Sequence, residues 1–143
     1  MPADPPTPTD FNPADYRILA VNDDTANLML TKLLLNRAGY QVEIANGGPE
    51  GLAMLENQRF DLAIVDTMMP VMDGFEVVQL IRRDNRFDGM LIIVLGYGEE
   101  QHENELAIES GADGYLNGPL VYRVLVASVR DILLKGRTSD RGQ

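Results

Sequence analysis

Short, uninterrupted apolar runs alternate along this chain with longer segments that have helical periodicity. Such runs are typical of strands buried on both faces of a parallel sheet, because a half-exposed strand would alternate apolar and polar residues. The predicted strands span residues 17–21, 42–45, 62–65, 91–95 and 115–116, and the predicted helices span 25–38, 48–57, 75–83, 99–110 and 120–134. Five strand–helix units in succession predict an α/β fold with a parallel sheet covered on both faces.

The two ends of the chain differ from this pattern. Five of the first 15 residues are prolines, set among polar and small residues that bury little apolar surface. We therefore expect a flexible, Pro-rich extension at residues 1–15, one domain at 16–135 and a flexible tail at 136–143. A chain of 143 residues with 45% hydrophobic content fits a single core.

The charge balance limits the classes of partner. The chain has 12 basic and 22 acidic residues and a formal net charge of -10, which opposes binding to a nucleic acid backbone over most of the surface. It has no cysteine, no apolar run of the ~20 residues that span a bilayer, and no basic-then-apolar signal at its start. We expect a cytoplasmic protein that binds neither nucleic acid nor membrane.

One segment carries the candidate chemistry. Residues 61–76 read Asp-Leu-Ala-Ile-Val-Asp-Thr-Met-Met-Pro-Val-Met-Asp-Gly-Phe-Glu, which predicts a buried strand, a carboxylate, a turn and a helix. The carboxylate, Asp66, lies where the strand ends. Ligands of open α/β sheets bind beyond the carboxyl ends of the strands, so a lone acid at this point is well placed for chemistry.

This segment resembles the phosphoacceptor segment of bacterial two-component response regulator receiver domains of the chemotaxis-regulator type, and the order of elements extends the resemblance from about Arg17 to Lys135. The resemblance implies a flavodoxin-like, doubly wound sheet with strand order 2-1-3-4-5 and five helices. It also implies that Asp66 accepts a phosphoryl group from a sensor histidine kinase or a histidine phosphotransfer protein.

The resemblance further implies a magnesium site, formed by Asp23, Asp66 and the main-chain carbonyl of Met68. Asn22 stands where the family has another acid, and we expect it to reach the metal through a water. Carboxylate and carbonyl oxygens suit Mg²⁺, which also keeps several waters, and a cation relieves the repulsion between two carboxylates in one crevice. The compatible alternative is that Asp23 and Asp24 cap the first helix.

Two family positions are occupied by glycine. Gly96 stands where receivers carry Ser or Thr at the end of the fourth strand, and Gly118 stands where they carry Lys before a proline. A charge-assisted hydrogen bond to phosphate contributes roughly 1.5–3 kcal/mol, so its loss weakens the phosphorylated state. Tyr115 matches the family's switch aromatic, and we expect packing alone to set its position. We also expect the Gly118-Pro119 bond to be cis, loop 96–98 to sample several conformations, and phosphorylation to couple weakly to shape.

The first helix offers a candidate docking surface. Met29 and Leu33 form an i, i+4 apolar pair that we expect to face solvent, where it would bind a kinase or phosphotransfer partner. The alternative is that scattered exposed apolar residues are normal. The expected inward stripe consists of Leu30, Leu34 and Ala38, with Thr31 and Leu35 beside them.

Three functional classes are compared. The first, which we favour, is a single-domain receiver whose output is a contact with a downstream protein, with a homodimer through the fourth and fifth helices as a further expectation. The second is a pseudo-receiver that binds its partner without phosphorylation. The third is a phosphohydrolase, which would normally carry another acid at the position of Met68, so we do not expect an enzyme.

Overall fold

The computed structural model describes residues 10–136 and confirms the expected α/β architecture. Five parallel strands form one sheet in the order β2-β1-β3-β4-β5, which is the doubly wound, flavodoxin-like arrangement. The strands are β1 (Arg17–Asn22), β2 (Gln41–Asn46), β3 (Leu62–Asp66), β4 (Leu91–Gly96) and β5 (Gly114–Asn117). The helices are α1 (Thr25–Arg37), α2 (Gly48–Asn57), α3 (Gly74–Arg82), α4 (Glu100–Ser110) and α5 (Tyr122–Lys135).

The sheet separates two apolar clusters, which explains the continuous apolar runs. Alternate strand residues such as Val65 pack with α2, α3 and α4 on one face, whereas their neighbours such as Ile64 pack with α1 and α5 on the other. Every residue of β3 and β4 is buried. In register, Val21 of β1 pairs with Val65, and Val65 pairs with Val94 of β4, so the carboxyl ends of these strands lie together.

The inward face of α1 differs from the expected stripe. The buried residues are Leu28, Thr31 and Leu35, whereas Leu30 is 40% exposed. Leu30 lies about 200° around the helix from Leu28, and therefore on the opposite side. The prediction that Leu30 belongs to the core was wrong.

The residues before β1 pack against the domain. A short 3-10 helix spans Pro13–Asp15, and the rings of Phe11 and Tyr16 stack with centroids 5.3 Å apart. Gln41 Nε2 donates a hydrogen bond to the Ala14 carbonyl at 2.7 Å. The packed domain therefore begins before residue 16, earlier than the sequence predicts. The rest of the predicted extension, residues 1–9, and the tail from residue 137 lie outside the described residues.

Arg82, at the end of α3, links that helix to the segment before β5. Its guanidinium donates hydrogen bonds to the carbonyls of Gly111 and Phe87 and forms a 2.7 Å ion pair with Asp113. The same carboxylate oxygen of Asp113 accepts a hydrogen bond from the Ile92 N–H. The two side chains of the ion pair are almost fully buried, and their hydrogen bonds connect α3, β4 and the α4–β5 connection.

Among the helices of residues 10–136, none combines the length and the apolar character needed to cross a membrane.

Candidate functional site

Asp66 is the last residue of β3 and is almost fully buried. Its Oδ1 accepts a hydrogen bond from the Met68 N–H at 2.7 Å, and its Oδ2 accepts one from Asn22 Nδ2 at 2.8 Å. Burial raises the pKa of Asp66 above its ordinary value, and the carboxylates of Asp23 and Asp24 raise it further, while the two hydrogen bonds oppose the shift. The carboxylate is therefore held in one orientation at a site with excess negative charge.

The end of β1 supplies the neighbouring polar groups. Asn22 is buried and contacts Asp66 directly, and its Oδ1 also accepts a hydrogen bond from the Asp24 N–H at 3.0 Å. Asp24 caps α1 by accepting a hydrogen bond from the Ala26 N–H at 3.0 Å. Asp23 is exposed and makes no hydrogen bond within residues 10–136. The capping role therefore belongs to Asp24, and Asp23 is left accessible to a ligand.

The donor set fits Mg²⁺. Residues 10–136 contain no group of three or more His, Cys, Asp or Glu side chains placed to hold a metal ion. Mg²⁺ does not need such a group, because one or two carboxylates and several waters complete its octahedral shell. Burial raises the pKa of Asp66 and the nearby carboxylates of Asp23 and Asp24 raise it further, and a cation would offset the charge that these groups share. Metal binding by Asp23, Asp66 and the Met68 carbonyl, with Asn22 acting through a water, stays a prediction.

The turn after Asp66 depends on a glycine at the start of α3. The Gly74 N–H donates a hydrogen bond to the Thr67 carbonyl at 3.2 Å, and Asp73 caps the helix by accepting one from the Glu76 N–H. A Cβ at Gly74 would overlap the Asp66 carbonyl oxygen and lie 2.8 Å from its carbonyl carbon. The helix thus contacts the backbone of Asp66 with no side chain between them.

At Gly96 the missing hydroxyl is replaced by two other side chains. A Cβ there would overlap Glu103 Oε1 and lie 2.5 Å from the Tyr115 hydroxyl. The Tyr115 hydroxyl donates a hydrogen bond to Glu103 Oε1 at 2.7 Å, and the Gly98 N–H donates one to the same oxygen at 3.2 Å. Asn117 Nδ2 donates to the Tyr115 hydroxyl and to the Gly98 carbonyl.

Glu103, Tyr115, Asn117 and Gly98 thus form one hydrogen-bond network. The expectation that packing alone sets the position of Tyr115 was wrong. Tyr115 is positioned by hydrogen bonds to named partners as well as by packing. Burial raises the pKa of Tyr115 to about 12, with the Glu103 carboxylate as the next cause. The network also joins the β4–α4 loop to α4 and β5. That this loop samples several conformations stays a prediction.

At Gly118 the space of the absent lysine side chain holds an aromatic ring. A Cβ there would overlap Tyr97 Cε1 and lie 2.5 Å from Cδ1. The Gly118-Pro119 bond is cis, as expected. Burial raises the pKa of Tyr97, and the carboxylates of Asp66 and Asp24 raise it further. The sequence analysis singled out neither Tyr97 nor Glu103. The only signal for them was indirect: two glycines at one site leave a volume that other side chains must fill.

The predicted docking residues lie on the surface. Met29 is 53% exposed and Leu33 is 57% exposed, so both face solvent as the helical periodicity predicts. Their role in binding a partner stays a prediction.

Comparison with known proteins identifies the family. A family model described as the response regulator receiver domain matches residues 18–130. The chain belongs to this receiver family. Transcriptional regulatory protein AfsQ1 of Streptomyces coelicolor is 40% identical over 119 residues, which cover 83% of this chain and 52% of that protein. Response regulator MprA of Mycobacterium leprae is 36% identical over 127 residues, which cover 89% of this chain and 55% of that protein. The chain spans about half the length of these curated relatives.

Solved receiver structures have the same fold. A CheY-like response regulator receiver domain protein from Methanospirillum hungatei superposes with a TM-score of 0.76 at 36% identity, covering 84% of this chain and 94% of that one. Chemotaxis protein CheY4 of Vibrio cholerae superposes with a TM-score of 0.78 at 32% identity, covering 82% and 98%. The receiver fold of this chain is thus the one expected from its motif.

Proposed function

We propose that this receiver accepts a phosphoryl group on Asp66 from a phosphohistidine of a sensor histidine kinase or histidine phosphotransfer protein. The observation that carries the proposal is the Asp66 carboxylate itself. It is buried at the carboxyl end of β3 and is oriented by the Met68 N–H and the Asn22 amide. Nucleophilic attack requires a carboxylate held in one geometry, and this arrangement provides it.

The proposed reaction is a transfer between two nucleophiles. A carboxylate oxygen of Asp66 forms a bond to phosphorus while the bond from phosphorus to the donor's imidazole nitrogen breaks, and the imidazole leaves with that electron pair. Bound Mg²⁺ would offset the charge on the phosphoryl oxygens. Asp23, Asp66 and the Met68 carbonyl would hold it. Asn22 adds a neutral donor where a third acid would add repulsion.

Partner contacts are proposed on two surfaces. Met29 and Leu33 on α1 would meet the phosphoryl donor, because two exposed apolar side chains one helical turn apart suit a helix-in-groove contact. Output would be a contact with a downstream protein, or with a second copy of the chain, through α4 and α5, where Ile108 and Val124 are 62% and 53% exposed. Action as a single domain remains a prediction.

A second candidate function is favoured by the hydrogen bonds of Tyr115. Glu103 and Asn117 hold the Tyr115 side chain without any contribution from a group on Asp66. A ligand shifts a conformational equilibrium only through its different affinity for the two states, and the groups that usually provide this difference are absent at Gly96 and Gly118. The receiver would then bind its downstream partner in the same way with or without the phosphoryl group.

The test is intact-mass analysis after incubation with Mg²⁺ and acetyl phosphate. We expect one phosphoryl group in the parent protein, none in Asp66→Asn and one in Asp131→Asn, a control that changes an exposed acid on α5. An unmodified parent, or a modified Asp66→Asn protein, would contradict the phosphoacceptor proposal. If the parent is modified but its affinity for a downstream partner does not change, the second candidate function is correct.

A further inference from the structure

Gly118 is not required by the path of the backbone. The glycines with positive φ are Gly39, Gly47, Gly111 and Gly136, and Gly118 is not among them. A side chain at Gly118 would collide with the ring of Tyr97. Its Cβ would overlap Cε1 of that ring and lie 2.5 Å from Cδ1 and 2.9 Å from Cζ. The ring of Tyr97 and a side chain at Gly118 therefore compete for one volume.

The loops that carry these two residues are joined at the candidate site. Tyr97 directly follows the last residue of β4, and the Gly118 N–H donates a 2.6 Å hydrogen bond to the Gly96 carbonyl. The Tyr97 residue is 39% exposed, so one side of it faces solvent. Asp66 pairs with Leu95 of β4, two residues before Tyr97. Burial raises the pKa of Tyr97, and the carboxylates of Asp66 and Asp24 raise it further. The ring thus lies over Gly118, in a loop that leaves β4 beside Asp66.

Two hydrogen-bond donors contact the Asp66 carboxylate. Within residues 10–136, the Asp66 carboxylate accepts hydrogen bonds from the Met68 N–H and the Asn22 amide, while Asp23 and Asp24 contribute only negative charge. A phosphoryl group would bring additional acceptor oxygens. A phenol is a neutral hydrogen-bond donor, and it can approach such oxygens without a counter-charge.

We propose that Tyr97 is a phosphoryl-binding residue that replaces the missing lysine: its ring occupies the volume of the absent side chain at Gly118, and its hydroxyl donates a hydrogen bond to the phosphoryl group on Asp66. This inference rests on the proposed function of Asp66. It goes beyond that function in naming Tyr97, which lies in the loop after β4, as part of the site.

The experiment measures two affinities. The first is the affinity for Mg²⁺ alone. The second is the affinity for beryllium fluoride in saturating Mg²⁺, which is followed by ¹⁹F NMR. Tyr97→Phe keeps the ring and removes the hydroxyl, so beryllium fluoride affinity should fall about tenfold while Mg²⁺ affinity is unchanged. Tyr122→Phe is the matched control, because Tyr122 is exposed to the same extent as Tyr97 and lies at the start of α5. Its affinities should equal those of the parent.

A pair of rescue variants tests the shared volume. Tyr97→Ala with Gly118→Lys should restore beryllium fluoride affinity relative to Tyr97→Ala, because an ammonium then occupies the space of the ring. Gly118→Lys alone should bind no better than the parent, since the ring obstructs the new side chain. Equal beryllium fluoride affinity of Tyr97→Phe and the parent would overturn this inference and leave the proposed function intact. A parent that binds no beryllium fluoride would overturn both.

Discussion

Gly96→Ala should break the hydrogen bonds that position Tyr115. The added Cβ would overlap Glu103 Oε1, the oxygen that accepts hydrogen bonds from the Tyr115 hydroxyl and the Gly98 N–H. Glu103 has to move because the Gly96 backbone is part of β4 and is fixed by its pairing with β5. We therefore expect this one methyl group to separate the β4–α4 loop from α4.

The magnitude follows from two opposing effects. Loss of a hydrogen bond to a charged acceptor costs about 1.5–3 kcal/mol, and we take the lower end because Glu103 is partly exposed. Replacing glycine by alanine at a compatible φ stabilises a protein by about 0.4–1 kcal/mol through the unfolded state. The net expectation for Gly96→Ala is a destabilisation of about 1 kcal/mol. Gly89→Ala should instead be stabilising, because a Cβ at Gly89 meets nothing within 4 Å.

Urea unfolding gives the free energy of unfolding of both variants. Both variants replace glycine by alanine, and we expect their free energies of unfolding to differ by at least about 1.5 kcal/mol. A double-mutant cycle with Glu103→Ala then assigns the cause, since Gly96→Ala should cost about 1 kcal/mol less once the carboxylate is gone. Equal stabilities of the two glycine variants, or strictly additive effects in the cycle, would refute the reasoning.

Two further predictions concern the docking surface and Tyr115. Met29→Glu with Leu33→Glu should leave the fold intact and weaken binding of the phosphoryl-donating partner about tenfold, whereas Ile108→Glu on α4 should not; equal affinities in a titration would remove the docking proposal. Folding raises the pKa of Tyr115 from 10.0 to about 12. The contribution of Tyr115 to the free energy of unfolding is therefore intact below about pH 10 and is lost as the pH rises through about 12. Glu103→Gln should lower the pKa of Tyr115, seen by NMR of the ring, without restoring 10.0, because burial is the larger cause; an unchanged pKa would show that Glu103 does not influence it.

The strands and the position of Asp66 could be predicted from sequence because each depends on local order. A strand buried on both faces leaves a continuous apolar run, and Asp66 directly follows one. The inward face of α1 was harder to predict. That helix has leucine at 28, 30, 33, 34 and 35, so several stripes satisfy helical spacing, and only the packed sheet selects Leu28 over Leu30.

The neighbours of Gly96 and Gly118 could not be predicted from spacing. The sequence shows that two side chains are missing, but it does not show which residues occupy the space. Glu103 reaches Gly96 from α4, and Tyr97 reaches Gly118 from the end of β4, so both contacts depend on how separate loops meet. Their identification also changes the expected effect of restoring the usual residues, because a side chain at either glycine must first displace an existing one.

The contact between Gly74 and Asp66 has a mechanical consequence. A side chain between two elements acts as a compliant spacer, since it can change rotamer when one element shifts. No such spacer separates the first turn of α3 from the peptide group of Asp66, where backbone meets backbone. A displacement of α3 would therefore be transmitted to the Asp66 carbonyl through direct backbone contact, without a side chain that could change rotamer in between.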